Sequence, residues 1–318
     1  MSTRSANIRQ ATFSLLFITC SYICVIFILD IKQNVFSEFL TLSLVLPVAM
    51  AITFVTFIFR FIRWHWLLLR AGHKLPTTSS FLAYLSGFAL TATPGKIGEL
   101  LRIRYFSQLG VRHQQIVSAF VFERAFDLVV VLLIASLAAL QPGLLTLVGI
   151  FVLLIVTTVI LLAKNPAWLG FVTIRLRAYK FRILSKLVKV LRDGLQGIHQ
   201  WANPLDITVS FILGLIAWLL AAYAFVWITT SLEIDIPFIT SLAIYPIAML
   251  VGAASMLPGG IGSTEAATVA LLTLLETPVT IATVAAIGIR IASLWFSIVC
   301  GLTAMLILEH INRNRSPY

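Results

Sequence analysis

Long apolar runs without charged residues constrain this chain more than any other feature of its sequence. Residues 11–29, 39–59, 143–163 and 207–230 contain no Asp, Glu, Lys or Arg. Each run is long enough to cross the hydrocarbon core of a bilayer as a helix, which takes about 20 apolar residues. Across the chain, 60% of residues are hydrophobic and only 11% are charged. These observations predict an all-α, polytopic helical membrane protein and exclude a soluble domain.

Two further apolar stretches are each interrupted by a Pro-Gly break. The first break, residues 93–99, reads Thr-Pro-Gly-Lys-Ile-Gly-Glu, and the second, residues 257–265, reads Leu-Pro-Gly-Gly-Ile-Gly-Ser-Thr-Glu. An arginine follows each break at a similar distance inside an apolar segment, Arg124 after the first and Arg290 after the second. Matching breaks in a membrane chain indicate an internal repeat whose discontinuous helices surround a site near the midplane.

The charges that follow the first break argue against a second full crossing there. Residues 99–112 hold one glutamate and three arginines, and each arginine at the centre of a span costs about 2.5 to 3.5 kcal/mol. A re-entrant helical hairpin avoids that cost, because the chain returns to the side from which it entered. The same layout predicts a second hairpin in which residues 237–257 enter from the external side and residues 263–275 return to it.

The distribution of basic residues sets the predicted orientation. Of 23 Lys and Arg residues, Arg124 and Arg290 fall inside spans and Lys32 falls in an external loop, which leaves 20 on the cytoplasmic side. This asymmetry follows the positive-inside rule. It places both termini in the cytoplasm and makes residues 164–203 a basic cytoplasmic connector. Basic residues in the cytoplasmic loops therefore account for the net charge of +11, and nucleic acid is not an expected partner.

The layout predicts one integral membrane domain, residues 1–318, with about six full spans and two re-entrant hairpins. Three full spans separate the hairpins, so the hairpins enter from opposite sides. Repeat one covers about residues 39–140 and repeat two about residues 207–308. Such an inverted-topology repeat is typical of alternating-access transporters.

The breaks and the charged residues near them form the candidate site. Each break begins a half-helix whose N–H groups and positive dipole end could face a phosphate. A guanidinium group can bind two phosphate oxygens, and nearby carboxylates would balance the arginines or carry a coupling proton. The candidate head-group residues are Pro94, Gly95, Glu99, Glu123, Arg124, Asp127, Pro258, Gly259, Gly260, Ser263, Thr264, Glu265 and Arg290.

Structural explanations compete with this functional one. Pro-Gly breaks also occur where a helix only bends around its neighbours, and Glu123, Arg124 and Asp127 could be a structural ion cluster. Lys96 could mark the membrane interface. Four tryptophans are predicted to be interfacial anchors. They are Trp64, Trp66, Trp201 and Trp227.

Three ordered motifs carry a family resemblance. Residues 87–102 read GFALTATPGKIGELLR, residues 122–127 read FERAFD, and residues 257–265 read LPGGIGSTE. In these motifs the chain resembles the lysylphosphatidylglycerol synthase transmembrane region, a flippase-like domain found in multiple-peptide-resistance-factor proteins. The resemblance implies movement of a phospholipid or a polyprenyl-linked lipid across the cytoplasmic membrane. Members that transfer aminoacyl groups carry a soluble catalytic domain after the membrane part. The sequence stops at Tyr318, so lipid lysylation is not expected of it.

The expected function is therefore a membrane lipid translocase. The alternative is a non-transporting scaffold or regulator that docks a glycosyltransferase or lipid-synthesis enzyme through the basic connector. A third, weaker hypothesis is an integral-membrane transferase. The five histidines lack metal-ligand spacing, no Walker-type loop is present, and the three cysteines lie in apolar spans. We accordingly expect no enzyme activity, no cofactor, no metal and no disulfide.

Overall fold

The computed structural model describes residues 42–136 and 197–314, together with residues 171, 174, 175 and 188. These residues form helices joined by turns, and no strand occurs among them. Three helical segments are long and apolar enough to cross a membrane: Val45–Arg70, Pro204–Ser231 and Val279–Arg313. The prediction of a helical membrane protein is confirmed. The predicted spans at residues 11–29 and 143–163 and most of the basic connector lie outside the described residues, so the number of spans stays a prediction.

The first described helix, α1, runs from Val45 to Arg70. Its 26 residues rise about 39 Å at 1.5 Å per residue, more than the thickness of a hydrocarbon core. The uncharged run that predicts this span ends at residue 59, and the basic residues after it are counted on the cytoplasmic side. The helix continues past that point, however, and two of those residues, Arg60 and Arg63, are buried inside the protein.

The first break joins two short helical arms. Helix α2, Thr77–Ser86, continues as a 3₁₀ turn, Gly87–Leu90; after the break a 3₁₀-helix, Pro94–Leu101, leads into helix α3, Arg102–Gln108. The ten residues of α2 and the four of the 3₁₀ turn together rise about 23 Å, less than the roughly 30 Å of a hydrocarbon core. That the hairpin returns to the side from which it entered stays a prediction. Helix α4, His113–Ser136, follows it.

The second break has the same construction. Helix α5, Pro204–Ser231, precedes helix α6, Phe238–Ala254, whose end leads into the 3₁₀ turn Pro258–Gly260 and then into helix α7, Ser263–Thr273. Gly259, Gly260 and Gly262 all have positive φ angles of 62°, 64° and 84°. Glycine adopts this conformation without a steric penalty, which is why the break occurs at this glycine-rich sequence.

The chain ends in a helix with a local change of winding. Helix α8, Val279–Arg290, passes through a π-helical segment, Ile291–Trp295, into helix α9, Phe296–Asn314. Such π-helical turns are frequently found at functional sites. This one begins directly after Arg290.

The two hairpins pack on different helices and meet at their breaks. Helix α2 lies against α9, whereas α6 packs against α4, α5 and α7, and the longest contact is between α1 and α5. The 3₁₀ segments of the two breaks touch each other. At this point a methyl group on Gly259 would lie 3.2 Å from the Cα of Ala92. The fold thus brings together two segments that are more than 160 residues apart in the sequence.

Two of the predicted interfacial tryptophans are core residues. Trp64 and Trp201 are fully buried with Tyr84 and Phe106 in the apolar core around the first hairpin. Trp201 donates its indole N–H to the carbonyl oxygen of Leu67 at 2.8 Å. The anchor prediction is wrong for both residues, because large aromatic rings near charged helix ends also fill cores; a carbonyl accepts the N–H of Trp201, whereas the N–H of Trp64 has no hydrogen-bond partner among the described residues.

Close packing of α9 against the first hairpin leads to a testable prediction. A methyl group at Gly301 would lie 2.1 Å from the backbone nitrogen of Ala89 and 2.6 Å from the carbonyl carbon of Phe88. Because backbone atoms cannot move aside locally, we expect Gly301→Ala to lower the free energy of unfolding in detergent by about 1 to 3 kcal/mol. The matched control is Gly288→Ala, whose methyl would meet only the end of the Leu42 side chain at 3.0 Å. Equal stability of the two variants would contradict this prediction.

Candidate functional site

Carboxylates of α4 bind two arginines of α1. Arg63 donates to Glu123 Oε1 at 3.0 Å and to Asp127 Oδ1 at 2.8 Å, and Arg60 donates to Asp127 Oδ2 at 3.2 Å. The side chains of Arg63 and Glu123 have no solvent exposure. The hydroxyl of Tyr84 also donates to Glu123 Oε1, at 2.9 Å. A buried charge is tolerated when it is paired and hydrogen-bonded. Arg63 Nη2 is paired in this way, whereas Arg63 Nε and Nη1 have no hydrogen-bond partner among the described residues.

A third arginine, Arg102, joins the first hairpin to the same carboxylates. Its Nη2 lies 2.8 Å from Glu99 Oε2, and its Nη1 lies 3.5 Å from Glu123 Oε2. The guanidinium also stacks over the rings of Trp64 and Tyr84, with its central carbon 4.6 and 4.5 Å from their centroids. Cation–π contacts of this kind strengthen when the cation is removed from water.

Arg124 completes this ion cluster. Its Nη2 lies 3.0 Å from Asp127 Oδ2, 3.5 Å from Glu123 Oε1 and 4.0 Å from Glu99 Oε2. The structure thus brings together four predicted site residues, Glu99, Glu123, Arg124 and Asp127, from the hairpin and the helix that follows it. The structural explanation of the cluster stays open, because every carboxylate in it is already paired with arginine.

Sequence reasoning missed Arg60, Arg63 and Arg102, which it assigned to cytoplasmic segments. Two signals could have identified them. Arg60 and Arg63 are three residues apart, and therefore on one face of a helix that is otherwise apolar. Arg102 follows Glu99 by the same spacing in a segment that starts at a break.

The second break is held by Arg290 and Glu265. Arg290 Nε donates to Glu265 Oε1 at 2.9 Å, and Arg290 Nη2 donates to the carbonyl oxygen of Gly259 at 2.7 Å. The other oxygen of Glu265 accepts the N–H of Gly262 at 2.8 Å. Arg290, predicted to bind phosphate, therefore binds the hairpin itself. Each break is followed by a carboxylate that pairs with an arginine.

The hydroxyl residues after the second break make contacts within the hairpin. Ser263 Oγ donates to the carbonyl of Gly260 at 3.1 Å and lies 2.8 Å from Ser255 Oγ. Thr264 is buried, and a methyl group on Gly252 would lie 2.0 Å from its Oγ1. Neither Ser263 nor Thr264 caps α7, because the residue before the helix is Gly262, whose N–H is accepted by the carboxylate of Glu265.

Side-chain hydrogen bonds also hold the first break. Thr93 Oγ1 accepts the N–H of Gly98 at 2.7 Å and donates to the carbonyl of Leu90 at 3.0 Å. Thr91 Oγ1 donates to Glu99 Oε1 at 3.0 Å. Pro94 and Gly95 open the 3₁₀-helix at this break. The N–H of Gly98 at the first break and the N–H of Gly262 at the second are thus each bonded to a side chain of the same hairpin.

Two cavities lie where the breaks meet, and they share part of their walls. The smaller, about 90 Å³, has both polar and apolar walls. Its polar lining consists of Thr53, Thr56, Arg60, Thr91, Lys96, Glu99, Arg290, Ser293 and Ser297. The larger measures about 280 Å³, room for about nine water molecules at ~30 Å³ each. Lys96, Trp218, Met249 and Gly259 line both cavities.

The larger cavity is lined by a few charged side chains and by many apolar ones. The charged lining residues are Lys96, Arg124 and Asp127. The apolar lining residues are Leu128, Val131, Trp218, Met249, Leu250, Ala253 and Leu257. A cavity with both kinds of wall suits an amphiphile better than it suits a small ion.

Lys96 occupies an unexpected position in this arrangement. It is partly buried and lines both cavities, so the suggestion that it marks the interface is wrong. Its φ angle is 55°, a conformation that is uncommon for residues other than glycine. Among the described residues, no carboxylate oxygen lies within 4 Å of its ammonium group. The described residues also contain no group of three or more His, Cys, Asp or Glu side chains suited to a metal ion.

Comparison with known proteins agrees with this geometry. The sequence profile of the family described as "Lysylphosphatidylglycerol synthase TM region" matches residues 11–301, a range that includes both breaks. The chain is also similar to a "UPF0104 membrane protein" of Methanothermobacter thermautotrophicus, with 30% identity over 116 residues. That match spans 35% of this chain and 35% of the relative. The resemblance predicted from the three motifs is confirmed.

Proposed function

Since this chain belongs to the lysylphosphatidylglycerol synthase transmembrane-region family, we propose that it is a lipid translocase of the cytoplasmic membrane. Its cargo would be an anionic phospholipid or a polyprenyl-linked lipid that passes between leaflets. Both termini of the protein would lie in the cytoplasm. One observation carries the proposal: the two breaks meet at a cavity that is lined by both charged and apolar side chains. A lipid likewise combines a charged head group with apolar chains.

The construction of the two breaks supports transport over simple helix bending. In both hairpins a carboxylate soon after the break pairs with an arginine, Glu99 with Arg102 and Glu265 with Arg290. The first pair lies within its hairpin, whereas Arg290 belongs to the helix that follows the second hairpin. A carboxylate–arginine pair at each break fits an inverted repeat, in which each hairpin would open toward one side of the membrane. Irregular backbone at membrane depth is tolerated where it lines a cavity, which is where these breaks lie.

Leaflet exchange by the purified protein tests the proposal. Vesicles would contain an anionic phospholipid, phosphatidic acid, with a fluorophore on its acyl chain, and an impermeant reductant would quench the label in the outer leaflet. Wild-type protein is expected to expose the inner-leaflet label as well. Protein-free vesicles should retain about half of the fluorescence.

A pair of neighbouring substitutions makes this test specific for the larger cavity. Ala253 and Ala254 are both exposed, but only Ala253 lines the cavity. We expect Ala253→Trp to slow exchange about tenfold or more, which corresponds to about 1.4 kcal/mol in the barrier, because the indole fills the space. Ala254→Trp should exchange lipid like the wild type. Equal exchange rates for the two variants would mean that the lipid does not pass through this cavity.

Two other hypotheses give different outcomes in these experiments. A scaffold or regulator would show no exchange and would co-purify with a glycosyltransferase or lipid-synthesis enzyme. An integral-membrane transferase would make a lipid product when given lipid and donor. We propose instead that the chain catalyses no covalent reaction and that membrane lipids are its partners.

A further inference from the structure

Six cationic side chains surround the two breaks, and five of them have a carboxylate within 4 Å. The paired residues are Arg60, Arg63, Arg102, Arg124 and Arg290. The sixth is Lys96. Glu99 and Asp127 are close enough to act on Lys96 electrostatically, yet each already contacts an arginine. Lys96 is therefore the cation in the described part of the site that has no carboxylate partner of its own.

The charges of the whole site do not balance. Five arginines and one lysine face four carboxylates, Glu99, Glu123, Asp127 and Glu265, which leaves two positive charges among the described residues. Uncompensated charge in a water-poor interior is unfavourable by several kcal/mol per ion. An anion that carries about two negative charges would balance this excess, whereas an anion with one charge would leave half of it.

We propose that the site binds the terminal phosphate of a lipid phosphomonoester and that Lys96 is its direct ligand. This inference rests on the proposed function and specifies its cargo. A phosphomonoester carries about −1.5 to −2 at pH 7 and offers three strong acceptor oxygens. A phosphodiester such as that of phosphatidylglycerol carries one negative charge. The phosphomonoester is the head-group chemistry that matches the charge of the site.

The position of Lys96 fits this role. Lys96 and Arg124 line the larger cavity together with apolar residues such as Leu128 and Leu250. A phosphate bound at Lys96 would therefore leave its hydrocarbon chain against those apolar residues. The uncommon φ angle of 55° at Lys96 is maintained by a hydrogen bond from its N–H to the carbonyl of Thr93, 2.9 Å long. Backbone conformations of this kind cost of order 1 to 3 kcal/mol, and they cluster at functional sites.

Binding selectivity in detergent tests the proposal without any transport step. The full chain would be incubated with equimolar phosphatidic acid and phosphatidylglycerol of identical acyl chains, and the retained lipids would be counted by native mass spectrometry. Wild-type protein is expected to retain phosphatidic acid about tenfold over phosphatidylglycerol, a ratio equivalent to about 1.4 kcal/mol. Lys96→Gln should retain the two lipids equally. Lys96→Arg, which keeps the charge, should preserve the preference.

Further arms of the experiment keep it decisive. If Lys96→Gln fails to fold, Lys96→Asn replaces it, because asparagine adopts positive φ more readily.

Inorganic phosphate at the same concentration as the lipid should not displace phosphatidic acid, since it lacks the chain that contacts the apolar wall. Displacement would indicate a site for the free ion and overturn the lipid assignment. Equal retention of both lipids by wild-type protein would overturn the phosphomonoester assignment. The proposed translocase function would still be judged separately by leaflet exchange.

Discussion

Glu265→Gln is expected to abolish lipid exchange in reconstituted vesicles and to leave the protein folded. The carboxylate of Glu265 binds both Arg290 Nε and the N–H of Gly262, and Arg290 in turn holds the carbonyl of Gly259. Neutralising the carboxylate leaves the buried guanidinium without its charge partner. The second break then loses the contacts that define its geometry at the cavity. Exchange should fall to the rate of protein-free vesicles, a loss of at least about tenfold. Arg290→Gln should have the same effect.

Two control variants separate a functional pair from a merely structural one. Glu276→Gln makes the same substitution at an exposed position just beyond α7 and should leave exchange unchanged. The double variant Glu265→Gln with Arg290→Gln removes both charges and should recover the stability lost in either single variant, because no buried charge is left unpaired. We expect it to remain inactive. Wild-type exchange by Glu265→Gln would count heavily against the transport function, and recovery of exchange in the double variant would make the pair structural.

Glu123→Gln is expected to produce the largest loss of stability. Glu123 is fully buried, and its carboxylate contacts Arg63 at 3.0 Å, Arg102 at 3.5 Å and the hydroxyl of Tyr84 at 2.9 Å. Removing one partner from a buried ion pair typically costs about 3 to 5 kcal/mol, because the remaining charge is left uncompensated. Chemical denaturation in detergent, followed by tryptophan fluorescence, would measure the loss.

Glu309→Gln is the matched control for this substitution. Glu309 also pairs with an arginine, Arg104, at 3.1 Å, but the two side chains are 38% and 47% exposed. Exposed pairs contribute only about 0 to 1 kcal/mol, so this variant should unfold almost like the wild type. Similar losses in the two variants would mean that burial does not decide the strength of these pairs, and our account of the ion cluster would be wrong.

The breaks were predictable because their causes are local. Proline lacks an N–H and glycine adopts positive φ angles. A Pro-Gly-Gly sequence such as residues 258–260 therefore ends a helix even inside an apolar segment. The short arms on either side follow from the same residues. Membrane character was predictable for a similar reason, because an uncharged apolar run of about 20 residues has the length that a helix needs to cross the hydrocarbon core.

The partners of the buried arginines were not predictable in this way. The positive-inside rule counts Lys and Arg by their place along the chain, and it assigned Arg60, Arg63 and Arg102 to cytoplasmic segments. In the structure, Arg63 pairs with residues 60 and 64 positions away. Pairing over such distances depends on how α1 packs beside α4, which no local pattern encodes.

The sequence by itself determined that the chain is a helical membrane protein of a recognisable family, with two helices broken at Pro-Gly, because hydrophobicity and backbone preference act within a few residues. Only the tertiary structure decided that the two breaks touch and that Arg290 binds its own hairpin. It also decided that Lys96, and not an arginine, is left with no carboxylate within 4 Å among the described residues beside the cavities. The physical reason is that charge compensation in a low-dielectric interior is settled by neighbours in space, whatever their distance along the chain.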